Sequence, residues 1–267
     1  MIFDTHAHYD DEAFSEDREE LIGKLNENGI RYVVNIGTCR ETCVQTLRLT
    51  EKYPFFFGAI GFHPSDIAGF NENEERWFRE QAKNEKIIAI GEIGLDYYWD
   101  KEEEVQEKQR EAFVSQLKLA RQLKLPVAVH SREAAKDTMD IIKEHGQGLG
   151  GVIHCYSYHV QDALAYVEMG YYIGVGGVLT FKNARKLREV VEAVPIERIV
   201  LETDCPYLAP EPYRGKRNSS LYLPYVVEKL AEIKGLTPSE VEDITFKNAV
   251  DMYRISHVMN PVNAISG

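Results

Sequence analysis

What this chain lacks narrows its reading before any motif is considered. Its 267 residues hold only four cysteines, Cys39, Cys43, Cys155 and Cys205, too few and too scattered for a disulfide framework in a chain of this size. Cys39 and Cys43 have no second pair nearby to complete a zinc knuckle and are read as structural. The longest apolar runs, such as residues 87–90 and 199–201, fall far short of the ~20 residues a membrane span needs, so no membrane role is expected. Asp4, His6 and His8 interrupt the only hydrophobic start, so no export leader is expected and the expected location is the cytoplasm. Basic residues are also short: 31 against 43 acidic ones leave a formal charge of −12, which excludes a protein that coats nucleic acid through many lysine and arginine contacts to phosphate. An enzyme that cleaves phosphate esters is not excluded, because bound divalent cations reverse the local field in an acidic cleft.

What is present reads as one globular α/β unit. With 44% hydrophobic and 28% charged residues the chain can bury a large core, and its length matches the roughly 250 residues of a parallel α/β barrel. Short β-branched or aromatic runs predict strands at residues 1–6, 31–37, 55–63, 87–92, 126–130, 151–154, 171–174 and 199–204. Between them, apolar residues recurring at three and four, as in Phe113, Leu117 and Ala120, predict helices at 16–28, 41–53, 72–84, 103–123, 133–145, 160–169, 184–193 and 221–234. The alternation predicts a single-domain (β/α)8 TIM barrel over residues 1–257. Thr237-Pro238-Ser239-Glu240 marks the start of an extra C-terminal helix running to about 255, with threonine as cap, proline at the first turn and glutamate closing a capping box. Residues 258–267 are expected to form a disordered tail.

Histidines and carboxylates recur at the carboxyl ends of these strands, where parallel barrels build active sites. His6 and His8 are two apart, which puts both side chains on one face and within reach of one metal. Glu92 ends an apolar strand in Gly91-Glu92-Ile93-Gly94-Leu95-Asp96. A carboxylate buried there must meet a cation or strong donors, and bridging two metals meets that need; an ion pair with Arg132 is the plainer alternative. His130 and His154 each close a short apolar strand, and imidazole is a preferred ligand for divalent transition metals. Asp204 can both ligate and accept the proton of a metal-activated water, while Glu202, two residues earlier on the same face, either orients a ligand or is merely structural. Arg214, Lys216 and Arg217 gather just past the Asp204 loop, and with His63 and Arg132 they are candidates for holding an anionic substrate, particularly phosphate. Tyr97, Tyr98 and Trp99 either stack a base or cover the barrel end. His145 and His257 are read as structural or exposed, and His159 is left open.

Asp4-Thr5-His6-Ala7-His8, Gly61-Phe62-His63-Pro64, residues 91–96, His130-Ser131-Arg132-Glu133-Ala134, His154-Cys155-Tyr156-Ser157, residues 202–208 and residues 214–218 together resemble the TatD family of metal-dependent deoxyribonucleases, within the amidohydrolase-like barrels. The resemblance extends to Asn248-Ala249, nearly the whole chain. It implies that His6, His8, Glu92, His130, His154 and Asp204 hold two divalent ions (magnesium, manganese or zinc) with Glu92 shared between them. It also implies hydrolysis of DNA phosphodiester bonds, single-stranded or from an end, with Asp204 and Glu92 as the catalytic carboxylates. No obligate protein partner is implied. Tyr158 stands where the family often has glycine, and Ser219-Ser220 where it often has Glu-Pro; both are expected to face substrate. The carboxylated lysine of many related barrels has no equivalent here. Two competitors are a hydrolase of an amide, lactone or aminoacyl ester, since the same chemistry attacks carbonyl carbon, and a non-catalytic nucleic-acid-binding protein.

Overall fold

The computed structural model describes residues 1–256. Strands β1 (Ile2–Ala7), β2 (Ile30–Ile36), β3 (Phe56–Ile60), β4 (Ile87–Asp96), β5 (Val127–Arg132), β6 (Gly151–Ile153), β7 (Tyr171–Val175) and β8 (Ile199–Leu201) alternate with helices α1 (Arg18–Leu25), α2 (Arg40–Lys52), α3 (Glu72–Gln81), α4 (Glu103–Leu123), α5 (Ala135–Ile141), α6 (Val160–Glu168), α7 (Arg185–Ala193) and α8 (Leu223–Lys234). The strands lie in chain order in one eight-stranded sheet of parallel neighbours. The backbone just past β8 closes it against β1: Ala7 bridges Cys205, Asp204 N donates to His6 O at 2.9 Å, and His8 N donates to Cys205 O at 2.9 Å. This is the (β/α)8 barrel, and a further helix, α9 (Pro238–Tyr253), follows it behind the capping box of Thr237 and Glu240. The segment expected as a disordered tail, and His257 before it, lie outside the described residues.

Inward packing explains why only one end of the barrel is open to chemistry. Phe3, Val34, Phe57, Ile88, Ala128, Val152 and Val200, each from a different strand, cluster with Ala249, Met252 and Tyr253 of α9. Each such large apolar side chain removed from water stabilises by roughly 1.5–3 kcal/mol. Phe3, Phe57, Ile88 and Ala128 are each the second residue of their strand, so α9 covers the amino-terminal end, and the Tyr253 hydroxyl donates to Thr5 O at 2.8 Å. The carboxyl ends, where the histidines lie, are left for the site.

Several strand ends differ from the expected ones, β3 stopping at Ile60 and β5 running on to Arg132 among them, and those of β4 and β8 shape the site. β4 runs on to Asp96 because Gly94 lets it press against β5: a Cβ there would stand 1.9 Å from His130 O, at a φ of +144°. Gly94→Ala is therefore expected to destabilise the fold by roughly 2–4 kcal/mol, since no rotamer relieves an overlap with backbone. A urea midpoint equal to wild type would show that this close approach is dispensable. β8 stops at Leu201, because Thr203 and Asp204 turn to donate to His6 O and Asp204 takes a left-handed φ of +55°. The period-of-two reading of Glu202 and Asp204 on one strand face is thereby corrected. They reach the centre by separate routes.

Candidate metal centre

The Glu92 carboxylate, buried at the heart of the rim, sorts the surrounding imidazoles into two sets. Its Oε2 lies 3.4 Å from His6 Nε2 and 3.7 Å from His8 Nε2. Its Oε1 lies 2.9 Å from His130 Nδ1 and 3.0 Å from His154 Nε2, with His63 Nε2 at 3.8 Å. Asp204 joins the first set, its Oδ1 standing 3.4 Å from His8 Nε2 and 3.8 Å from His6 Nε2. The strands dictate this convergence. His6 and Glu92 sit within β1 and β4, His130 pairs with Gly94 across the β4–β5 ladder, and His154 N still donates to Val129 O at 3.0 Å just past β6.

The chemistry of the donors fits a divalent cation. His8 Nδ1 faces Ile36 O at 2.9 Å, so it carries the proton and the Nε2 lone pair points into the site. That lone pair stands 3.2 Å from His6 Nε2 and close to two carboxylates. Such a gathering of electron pairs is repulsive unless a proton or metal ion lies among them. His63 is wired the opposite way: its Nδ1 accepts from Ser65 N at 3.1 Å, which leaves Nε2 as an N–H donor and a poor ligand. Burial pushes its pKa down to about 4, so the ring is neutral.

Charge states follow the same geometry. Burial alone would push Glu92 up, yet the imidazoles of His154, His6, His63 and His130 hold it well below the usual carboxylate range. Burial opposes ionisation of Asp204 as well, and His8, His154 and His6 outweigh it. Burial lowers His8, but Asp204 and Glu92 raise it to about 9. Below that value His8 holds a second proton, which an ion ligated at its Nε2 would have to displace. Apparent divalent-ion affinity should therefore climb about tenfold per pH unit between roughly pH 6 and pH 8. Calorimetric titrations at several pH values check this, and an affinity independent of pH would mean that no ligand proton is displaced.

The remaining expected site residues are not all brought to the centre. Glu202 sits behind His154: its Oε1 accepts from Cys155 N at 2.5 Å and lies 3.6 Å from His154 Nδ1. Space for it exists because position 174 is glycine, where a Cβ would stand 2.4 Å from Glu202 Oε2. Arg132 makes no pair with Glu92; its guanidinium lies over the Tyr98 ring, 3.9 Å from the centroid. Arg214 lies 4.2 Å over Phe181 and Lys216 Nζ 5.8 Å from the Tyr213 ring, both exposed on the loop past Asp204. Arg217 is already engaged, donating to both Asp17 oxygens at 2.7 and 2.6 Å and to Ala13 O at 2.7 Å, so it fastens that loop to the start of α1. Ser219 and Ser220 do not face substrate as expected. Both are buried, and Ser220 Oγ donates to Asp4 Oδ2 at 2.6 Å and meets the Tyr9 hydroxyl at 2.8 Å. The Tyr158 hydroxyl is held between Ser131 Oγ at 2.9 Å and Ala134 N at 3.2 Å. His145 lies 3.5 Å from Glu144, and His159 is exposed at the start of α6.

Asp96 was missed by sequence reasoning. It is buried at the end of β4, its Oδ2 3.1 Å from His130 Nε2. A carboxylate behind a ligating histidine fixes the ring's tautomer and orientation. The signal was available: the alternation applied to His6 and His8 also pairs Glu92 with Asp96 through Gly94.

A family model described as "TatD related DNase" matches residues 3–254. The chain is 41% identical over 257 residues to the "uncharacterized metal-dependent hydrolase YabD" of Bacillus subtilis (strain 168), covering 96% of this chain and 100% of that one. It is 30% identical over 262 residues to the "3'-5' ssDNA/RNA exonuclease TatD" of Rahnella sp. (strain Y9602), covering 96% and 99% of the two. Among solved structures, YJJV, a TatD homologue from Escherichia coli K12, superposes with a TM-score of 0.88 at 30% identity, over 95% of this chain and 98% of that one.

Proposed function

From the premise that this chain belongs to the TatD-related DNase family and is a metal-dependent hydrolase, we propose that it cleaves phosphodiester bonds of DNA, working from an end or on single strands. The observation that carries this reading is the division of Glu92, one oxygen facing His6 and His8 and the other facing His130 and His154. A carboxylate so placed suits two ions a few ångströms apart, the arrangement that serves in-line displacement at phosphorus. His6, His8, Glu92 and Asp204 would hold one and Glu92, His130 and His154 the other. Bound divalent ions supply acidity to water and neutralise charge on the phosphoryl oxygens. The imidazole-rich donor set favours zinc, manganese or iron over magnesium, which prefers oxygen ligands.

The chain's own side chains do the rest. Asp204 keeps Oδ1 toward the histidines and uses Oδ2 to orient the attacking water and take its proton. His63 donates its Nε2 proton to a phosphate oxygen, a task its neutral ring performs across the physiological range. Arg132, Arg214 and Lys216, exposed on the rim, steer and hold flanking phosphates. Arg217 supports this role indirectly by tying down the loop that carries Arg214 and Lys216. Among the described residues no helix is long and apolar enough to cross a membrane, and the four cysteines are free, which supports a reducing cytoplasmic location. Substrate profiling tests the reading. Metal-dependent cleavage of oligodeoxynucleotides without turnover of lactones, amides or aminoacyl esters is expected, and the reverse pattern would move the same centre to carbonyl chemistry.

A further inference from the structure

Large apolar side chains left in water are unevenly placed on this molecule. Among the described residues the exposed ones are Met1, Tyr98, Trp99, Tyr207 and Leu208. Apart from Met1, all lie on the loops that follow β4 and β8, the second of which carries Asp204 itself. Trp99 is the most exposed of them at 66%, with Tyr98 at 43%. The Trp99 indole in particular is left mostly in water, which packing of the loop does not require.

The loop holding them is firmly built. Asp96 Oδ1 accepts from Tyr98 N at 2.9 Å and Trp99 N at 3.2 Å, Lys101 Nζ donates to Tyr97 O at 2.6 Å, and the Tyr97 hydroxyl donates to Asp137 at 2.8 Å. The two rings meet edge to face, centroids 4.7 Å apart at 84°. Arg132 lies over Tyr98 at 3.9 Å and 5.6 Å from Trp99, while Lys101 sits 5.6 Å from Tyr98. The same Asp96 carboxylate holds His130 through its other oxygen, at 3.1 Å. One side chain thus sets the offset between the aromatic corner and the metal centre.

We propose that Trp99, Tyr98 and Arg132 form a stacking platform that holds an unpaired nucleobase of a DNA single strand next to the bond being cleaved. The inference rests on the nuclease reading above and names the strand state that reading leaves open. Every base has a π-face that an aromatic ring can cover, whereas in a duplex those faces are already covered by neighbouring pairs. Arg132 adds a cation where the backbone of a stacked nucleotide must pass. The platform therefore selects single strands with little regard to sequence.

The test pairs protein variants with altered substrate. Single-stranded oligodeoxynucleotides carry one abasic unit, moved a position at a time from the cleaved end, and are compared with the intact strand on wild type, Trp99→Ala, Trp99→Phe and Tyr98→Ala. At one position the abasic unit is expected to raise wild-type KM about tenfold. Trp99→Ala should raise KM on the intact strand to a similar degree and show no further rise with the abasic unit. Trp99→Phe should recover most of the difference, and metal affinity should be unchanged in all three variants. Trp99→Ala and Tyr98→Ala proteins that discriminate the two strands as wild type does would overturn the platform and leave the nuclease reading standing. A wild-type protein that cleaves no DNA with any metal would remove both.

Discussion

Glu92→Gln is expected to lose at least about a hundredfold in divalent-ion affinity and to show no measurable DNA cleavage, while still folding. The substitution keeps the shape of the side chain and removes its charge. It also places an amide N–H₂ where one carboxylate oxygen faced a set of imidazole nitrogens. Losing a partner that merely orients a ligand typically costs about 10–100-fold in metal affinity, so losing the carboxylate between both sets should exceed that range. Metal content after equilibrium dialysis and turnover are the paired readouts. Unchanged values for both would remove Glu92 from the centre and with it the two-ion reading.

Asp204→Asn should behave differently. The amide oxygen can still face His8 and His6, so metal affinity is expected to fall less than in Glu92→Gln. What is lost is the proton acceptor, and kcat should drop by roughly 10²–10⁴ while KM for the oligonucleotide stays near wild type. A large rise in KM with kcat preserved would instead make Asp204 a substrate contact. His8, His154 and His6 outweigh the effect of burial and hold this carboxylate below its usual range, so the contrast should hold across the neutral range.

Much of the fold was legible because periodicity and local signals agreed. The alternation of short apolar strands with amphipathic helices gave all eight repeats, and the Thr237 capping box marked α9. The gathering of histidines around Glu92 was legible for a related reason: a histidine or carboxylate closing an apolar strand stands out against its neighbours. What escaped depended on backbone geometry or long-range pairing. The left-handed φ at Asp204 and the close approach at Gly94 moved strand ends that hydropathy could not place. Arg217 looked like a free phosphate contact because its partner, Asp17, lies far away in the chain. Ser220 looked like loop surface for the same reason, since only the fold brings it to Asp4 and Tyr9. The tautomer that makes His63 a donor was likewise invisible until Ser65 N was seen to donate to it.

The most direct measurement is hydrolysis of end-labelled single-stranded DNA by metal-stripped protein resupplied separately with magnesium, manganese and zinc, with Asp204→Asn run alongside. Stepwise shortening should appear only when metal is restored and only in the wild-type protein. An intact label with every metal, or equal shortening by Asp204→Asn, would contradict a metal-dependent nuclease that works through this centre.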